Sequence, residues 1–181
     1  MFDLDHLIGA CTAALGETNP RLAIKEILAE VVSDPSSVER ALPPQRAELA
    51  PLFSSPDLTI VKVIWAPAMV LPPHDHRMWA LIGIYGGKED NSFFRRTPTG
   101  LVASGGKQLS TSEVVLLGHD AVHSVTNPLR RAYTGAIHIY GGDFMNEPRS
   151  IWDPETMEEG PADGETVRRL FEEANTRIPT S

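Results

Sequence analysis

The chain has 181 residues, the length of one domain with a core of its own. With 41% hydrophobic and 22% charged residues it has an ordinary globular composition, and no apolar run approaches the ~18 residues that span a bilayer as a helix. A formal net charge of -8 disfavours nucleic acid and anionic membranes as partners but leaves room for a local basic pocket.

Residues 1–50 read as helical. Leu4, Leu7, Ile8 and Cys11 recur at steps of three and four. A second helical segment, Arg21 to Val32, follows Pro20 and places Ile24, Ile27, Leu28 and Val31 on one face. Pro35, Pro43 and Pro44 break this pattern, with a short helix through Val38 and Leu42 between them. The N-terminus, MFDLDHLIG, lacks the basic stretch of a secretory signal, and a single cysteine, Cys11, excludes an internal disulfide. A cytoplasmic setting is the expectation.

From Leu58 to Tyr140 the texture changes. The runs LTIVKVIWA, WALIGIYGG, SFFRRT, LVASGG, EVVLLG, AVHSVTN and YTGAIHIYGG alternate with Gly, Pro, Asn and Ser turns. Seven strands at such spacing predict an all-β sandwich or barrel over residues 51–145. The run LTIVKVIW is apolar on both faces apart from Thr59 and Lys62, which places it inside the sheets. Beyond Gly142 the chain reads as an irregular acidic tail, then a helix with Val167, Leu170, Phe171 and Ala174 on one face, between Gly164 and Pro179. The whole chain, 1–181, is thus expected to be one domain: a helical segment packed on a barrel, and a C-terminal extension with a helix from 146 onward.

Five of the six histidines fall in the strand-rich region. His74 and His76 stand two apart in PPHDHRMW, so on an extended strand both imidazoles reach the same face. Asp75 and Arg77 then point to the opposite face. A third imidazole must come from a distant strand, and His123 and His138 are the candidates. His119, in LLGHDAVH, reads as a turn residue, and His6 as a surface or packing residue of the first helix. Three neutral imidazoles suit iron, zinc, nickel or copper and leave coordination positions open. Ala136, His138 and Tyr140 alternate along one strand toward one face, so that His138 can orient the phenol of Tyr140.

Taken together, these residues resemble the cupin superfamily and, within it, the thiol dioxygenases. The first cupin motif runs G-x5-H-x-H-x3-4-E-x6-G; His74, His76 and Gly87 match it, with Ala80 or Leu81 at the glutamate. Three-histidine cupins that lose this carboxylate include the cysteine and mercaptopropionate dioxygenases. The second motif ends in H-x3-N, which His123 and Asn127 satisfy. Thiol dioxygenases follow it with Ser-x-His-x-Tyr, and here Ala136-Ile137-His138-Ile139-Tyr140 places His138 fifteen residues past His123. Trp65, nine residues before His74, also matches. The resemblance covers roughly residues 58–142. It implies a double-stranded β-helix (jelly-roll) barrel with N-terminal helices and a C-terminal helix. It implies iron(II) held by His74, His76 and His123, with Tyr140 and His138 as catalytic residues. The substrates implied are a small thiol acid and O2, in a monomer or homodimer.

Three departures stand beside these matches. Ala136 replaces the supporting serine. Ala80, near the position of the cysteine that some cysteine dioxygenases cross-link to the tyrosine, has no thiol. No arginine aligns near Ala50, where cysteine dioxygenases hold the substrate carboxylate. Mercaptopropionate dioxygenases instead place an arginine about nine residues after the tyrosine, and Arg149 stands there. Arg149 is the first candidate for the carboxylate, and one of Arg95 and Arg96 is expected to face inward. The alternatives are another cupin metalloenzyme, a different dioxygenase or an isomerase, and a non-catalytic metal- or ligand-binding cupin.

Overall fold

A computed structural model of the chain describes residues 1–177. Helices α1 (Leu4–Ala14), α2 (Pro20–Ser33) and α3 (Pro35–Ala41) come first. Asp3 caps α1 by accepting from His6 N at 3.0 Å, and proline opens both α2 and α3, where its missing N–H costs nothing.

Eleven strands follow among the described residues: β1 (Glu48–Ser54), β2 (Thr59–Trp65), β3 (Val70–Asp75), β4 (Ala80–Gly86), β5 (Lys88–Thr97), β6 (Gly100–Ser110), β7 (Val114–Leu117), β8 (Val122–Thr126), β9 (Thr134–Tyr140), β10 (Ser150–Trp152) and β11 (Glu159–Pro161). They form two antiparallel sheets, ordered β1-β2-β9-β4-β7 and β11-β10-β3-β8-β5-β6. The sheets face one another as a double-stranded β-helix barrel, and helix α4 (Gly164–Thr176) closes over the interior.

The five-stranded sheet is apolar on both faces because both are covered. Val61, Val63, Trp65, Ile82, Ile84 and Ala136 point into the barrel. Their neighbours Ile60, Ile64, Leu81, Ile137 and Ile139 meet Leu7, Cys11, Ile24, Leu28 and Val32 of the N-terminal helices. Between β1 and β9, strand β2 is buried on both faces except at Lys62, which pairs with Glu48 of β1.

Two regions differ from the sequence reading. Residues 48–54, at the end of the segment read as helical, form β1 paired along β2. The acidic tail is irregular only in part: β10 and β11 form a hairpin whose Ile151 lies opposite His74, extending the six-stranded sheet. These three-residue strands have no period long enough to register as alternation; pairing to β3 makes them strands. The C-terminal helix falls where its periodicity places it, with Phe171 stacked on Trp65 at 5.4 Å. Asn175 anchors it by accepting from Ala47 N at 2.7 Å and donating to Ala47 O at 2.9 Å. Pro179 lies outside the described residues. No described helix is long and apolar enough to cross a membrane.

Candidate metal centre

Two prolines in β3 leave no backbone N–H at positions 72 and 73, and the ladder to β8 shifts register between Leu71 and His74. Regular pairing resumes with His74 directly opposite His123, so their rings lie side by side at 4.5 Å between centroids. His76, just past the end of β3, brings its ring to 4.9 Å from His123 and 5.1 Å from His74. One nitrogen from each of the three buried imidazoles lies within 4.8 Å of the others. Neither His119 nor His138 joins this cluster. His119 is exposed beside Asp120 in the turn before β8, and His6 is exposed on α1.

The protons of this cluster are arranged for metal binding. His74 Nδ1 donates to Pro72 O at 2.9 Å and His123 Nδ1 donates to Asn91 Oδ1 at 2.7 Å, which leaves both Nε2 atoms bare. Nε2 of His123 faces Nε2 of His76 at 3.3 Å. Two nitrogens each about 2.1 Å from one ion, at roughly tetrahedral angles, are separated by about 3.4 Å. Burial, and then the neighbouring rings, hold His76 and His123 well below the usual histidine range, and burial pushes His74 down to about 4. All three are therefore neutral at neutral pH, the form that ligates. His76 Nδ1 is buried without a hydrogen-bond partner. This donor set fits a divalent ion of the iron, zinc, nickel or copper group.

Tyr140 and His138 approach from β9. Tyr140 OH lies 3.0 Å from His138 Nδ1, and its ring sits 5.1 Å from that of His76. Burial raises the phenol's pKa, so it carries its hydrogen at neutral pH. Across the sheet Ala80 stands directly opposite Tyr140. Tyr140 is braced instead by Phe144, stacked at 3.7 Å, and Arg149 lies on the far side of Phe144 with Cζ 3.8 Å from that ring's centroid. His74, His138, Tyr140, Phe144 and Arg149 line one cavity of about 20 Å3, room for about one water. Leu49, Phe144, Arg149 and Val167 separate it from an outer cleft of about 300 Å3 beneath α4, which Arg46 and Arg168 also line.

Arg95 and Arg96 do not line the cavity, contrary to the expectation for one of them. Phe93 takes the inward place on β5 and stacks over His123, while Arg96 reaches Asp75 and the Trp152 ring. Asp75 lies on the outward side of β3, where it accepts from Ser150 N at 2.7 Å and Arg77 Nε at 3.2 Å. Asn127, the last residue of the H-x3-N motif, is not aimed at the centre. Its amide donates to Trp65 O, Ala66 O and Ala132 O and accepts from Leu129 N, fastening the β8–β9 loop to the end of β2.

Glu89 is the residue that sequence reasoning missed. It is fully buried on β5 and accepts from Trp65 Nε1 at 2.7 Å and from Asn91 Nδ2 at 2.9 Å. Its Oε2 lies 3.7 Å from His138 Nε2. In the sequence it stands in GGKEDNS, which reads as a polar turn. The available signal is the alternation Glu89-x-Asn91-x-Phe93, which places three side chains on one face of an extended chain.

No model of a known protein family matches the chain. Among solved structures it is similar to a Bacillus halodurans protein, with a TM-score of 0.50 and 14% identity over 58% of this chain and 77% of that one. It is also similar to an uncharacterized conserved protein with a double-stranded β-helix domain from Klebsiella pneumoniae (TM-score 0.47, 10% identity, 59% and 80% covered). A third is an RmlC-like cupin family protein from Methanocaldococcus jannaschii (TM-score 0.43, 8% identity, 54% and 81% covered). The fold is the double-stranded β-helix, and it carries three buried histidines able to hold a metal ion.

Proposed function

We propose that this chain is an iron(II)-dependent dioxygenase that converts a small thiol acid, mercaptopropionate-like or cysteine-like, to its sulfinate. The observation that carries this reading is the shared cavity: His74 of the imidazole cluster, the Tyr140–His138 pair and the Arg149 guanidinium all line it. The preference for iron and for sulfur rests on the resemblance of the His–His–Asn–His–Tyr spacing to thiol dioxygenases.

His74, His76 and His123 would hold the ion, which when bound supplies the redox chemistry between a thiolate and O2. Both atoms of O2 end on sulfur: the thiol gives up four electrons, O2 accepts four, and the thiol proton is retained in the sulfinic acid. The rest of the work falls to this chain. Arg149 presents a planar fork to the substrate carboxylate and keeps it fixed by stacking on Phe144. Tyr140 holds its hydroxyl hydrogen toward His138 and offers its oxygen to the sulfur side of the cavity. Leu49, Phe144 and Val167 wall the cavity off from the outer cleft, and a substrate enters as these side chains move aside to enlarge it.

The test is to load the protein with iron(II) and measure O2 uptake with mercaptopropionate, cysteine and cysteamine. Uptake with one or both acids, and little with cysteamine, which lacks the carboxylate, is expected. Tyr140→Phe should keep the metal stoichiometry and lower kcat by about 10²-fold or more. Stoichiometric iron without uptake on any of the three thiols overturns the substrate class.

A further inference from the structure

We propose that Glu89 is the positioning residue of the centre, a single buried carboxylate that sets the tautomers of two histidines. This inference rests on reading the His74–His76–His123 cluster as a metal site.

One arm runs through Asn91. Both oxygens of Glu89 can only accept, so the Asn91 atom 2.9 Å away from Oε1 is its NH2 group. The Asn91 amide oxygen is then the atom 2.7 Å from His123 Nδ1, and that nitrogen must carry a hydrogen. A neutral imidazole has one hydrogen, so His123 Nε2 is left with its lone pair toward His76. The second arm is direct. His138 Nε2 is buried without a hydrogen-bond partner among the described residues, and Glu89 Oε2 stands 3.7 Å from it. Beside a carboxylate this nitrogen is held as N–H, which makes His138 Nδ1 the acceptor of the Tyr140 hydroxyl at 3.0 Å. Trp65 Nε1, which can only donate, keeps the carboxylate in place at 2.7 Å. Glu89, on β5, therefore stands at the His138 ring nitrogen opposite the one that faces Tyr140.

Glu89→Gln inverts the first arm without changing its shape. The indole N–H requires the glutamine oxygen, so the new NH2 faces Asn91. Asn91 must turn its amide to accept, presenting its NH2 to His123 Nδ1. His123 then carries its hydrogen on Nε2, where a ligand lone pair is needed.

Imidazole tautomers are read by long-range 15N–1H correlation spectra of the metal-free protein, followed by titration with iron(II) and zinc. Wild type should show His123 protonated at Nδ1 and His138 at Nε2. In Glu89→Gln, His123 should move its hydrogen to Nε2 and affinity for either metal should fall about 10- to 100-fold. A folded Glu89→Gln with His123 still protonated at Nδ1 overturns the proposal. If that variant does not fold, Asn91→Leu decides: it should release the His123 preference and leave His138 protonated at Nε2, and an unchanged His123 overturns the proposal equally. A wild-type protein that binds neither metal refutes the metal reading instead, and the tautomer spectra still judge Glu89.

Discussion

At the scale of single residues, the side chains that bring chemistry here differ in how they announce themselves. His74, His76, His138 and Tyr140 are visible because two-residue spacing on a strand is itself a statement about direction. Arg149 is visible only by its distance from Tyr140, and the structure places its guanidinium carbon over the Phe144 ring at the cavity wall. Arg149→Lys keeps the charge but loses both the fork and the flat stacking surface. On the proposed reading, KM for the thiol acid should rise about tenfold or more with a smaller change in kcat, measured by steady-state O2 uptake; a kcat loss at unchanged KM would count against a carboxylate role. Glu89 is invisible at this scale, because a charged residue beside two glycines has the look of a solvated turn and only its partners reveal it.

At the scale of elements, helices α1 and α2 and the strands β2, β4 and β9 were legible because each carries apolar residues over its whole length, and each found the partner that pattern demands. Helix α2 buries Ile24, Leu28 and Val32 against the outer face of the five-stranded sheet. Leu28 fits over Gly83 of β4, where an added Cβ would come to 2.8 Å of its Cγ. Leu28→Ala should therefore cost about 2–5 kcal/mol, and Gly83→Ala alone about 1–3 kcal/mol by overpacking. The two changes share one space, so in denaturant titrations the double mutant should cost clearly less than the sum. Strict additivity would show that the glycine is not there for Leu28. The β10–β11 hairpin had no such signal, since its three-residue strands exist by pairing with β3 and with each other.

At the scale of the molecule, the barrel keeps three imidazoles neutral and out of water, and this makes folding depend on pH. In the unfolded chain a histidine takes a proton near pH 6.5, whereas His74 in the native protein does so only at about 4, with His76 and His123 also held low by burial. Between those values the unfolded state binds more protons, so stability of the metal-free protein is fully present above pH 6.5 and is lost as pH falls toward 4. His74 alone accounts for about 3 kcal/mol of this loss, readable by calorimetry across that range. A divalent ion bound only by the native state should raise Tm above pH 6.5 and lose that effect in acid, as protons compete for the same nitrogens.

What the sequence determined by itself was direction and period: a helical start, a barrel of short strands, and His74 and His76 on one face of one of them. Those properties are local, carried by residues within a few positions of one another. The tertiary structure decided partnership. It set His123 opposite His74, forty-nine positions away in chain order, admitted Glu89 and Asn91 behind the rings, and brought the tail back as a hairpin beside β3. The physical reason is that alternation tells which face a side chain takes, while cross-strand register, settled only when both sheets close over a common core, tells what it meets there.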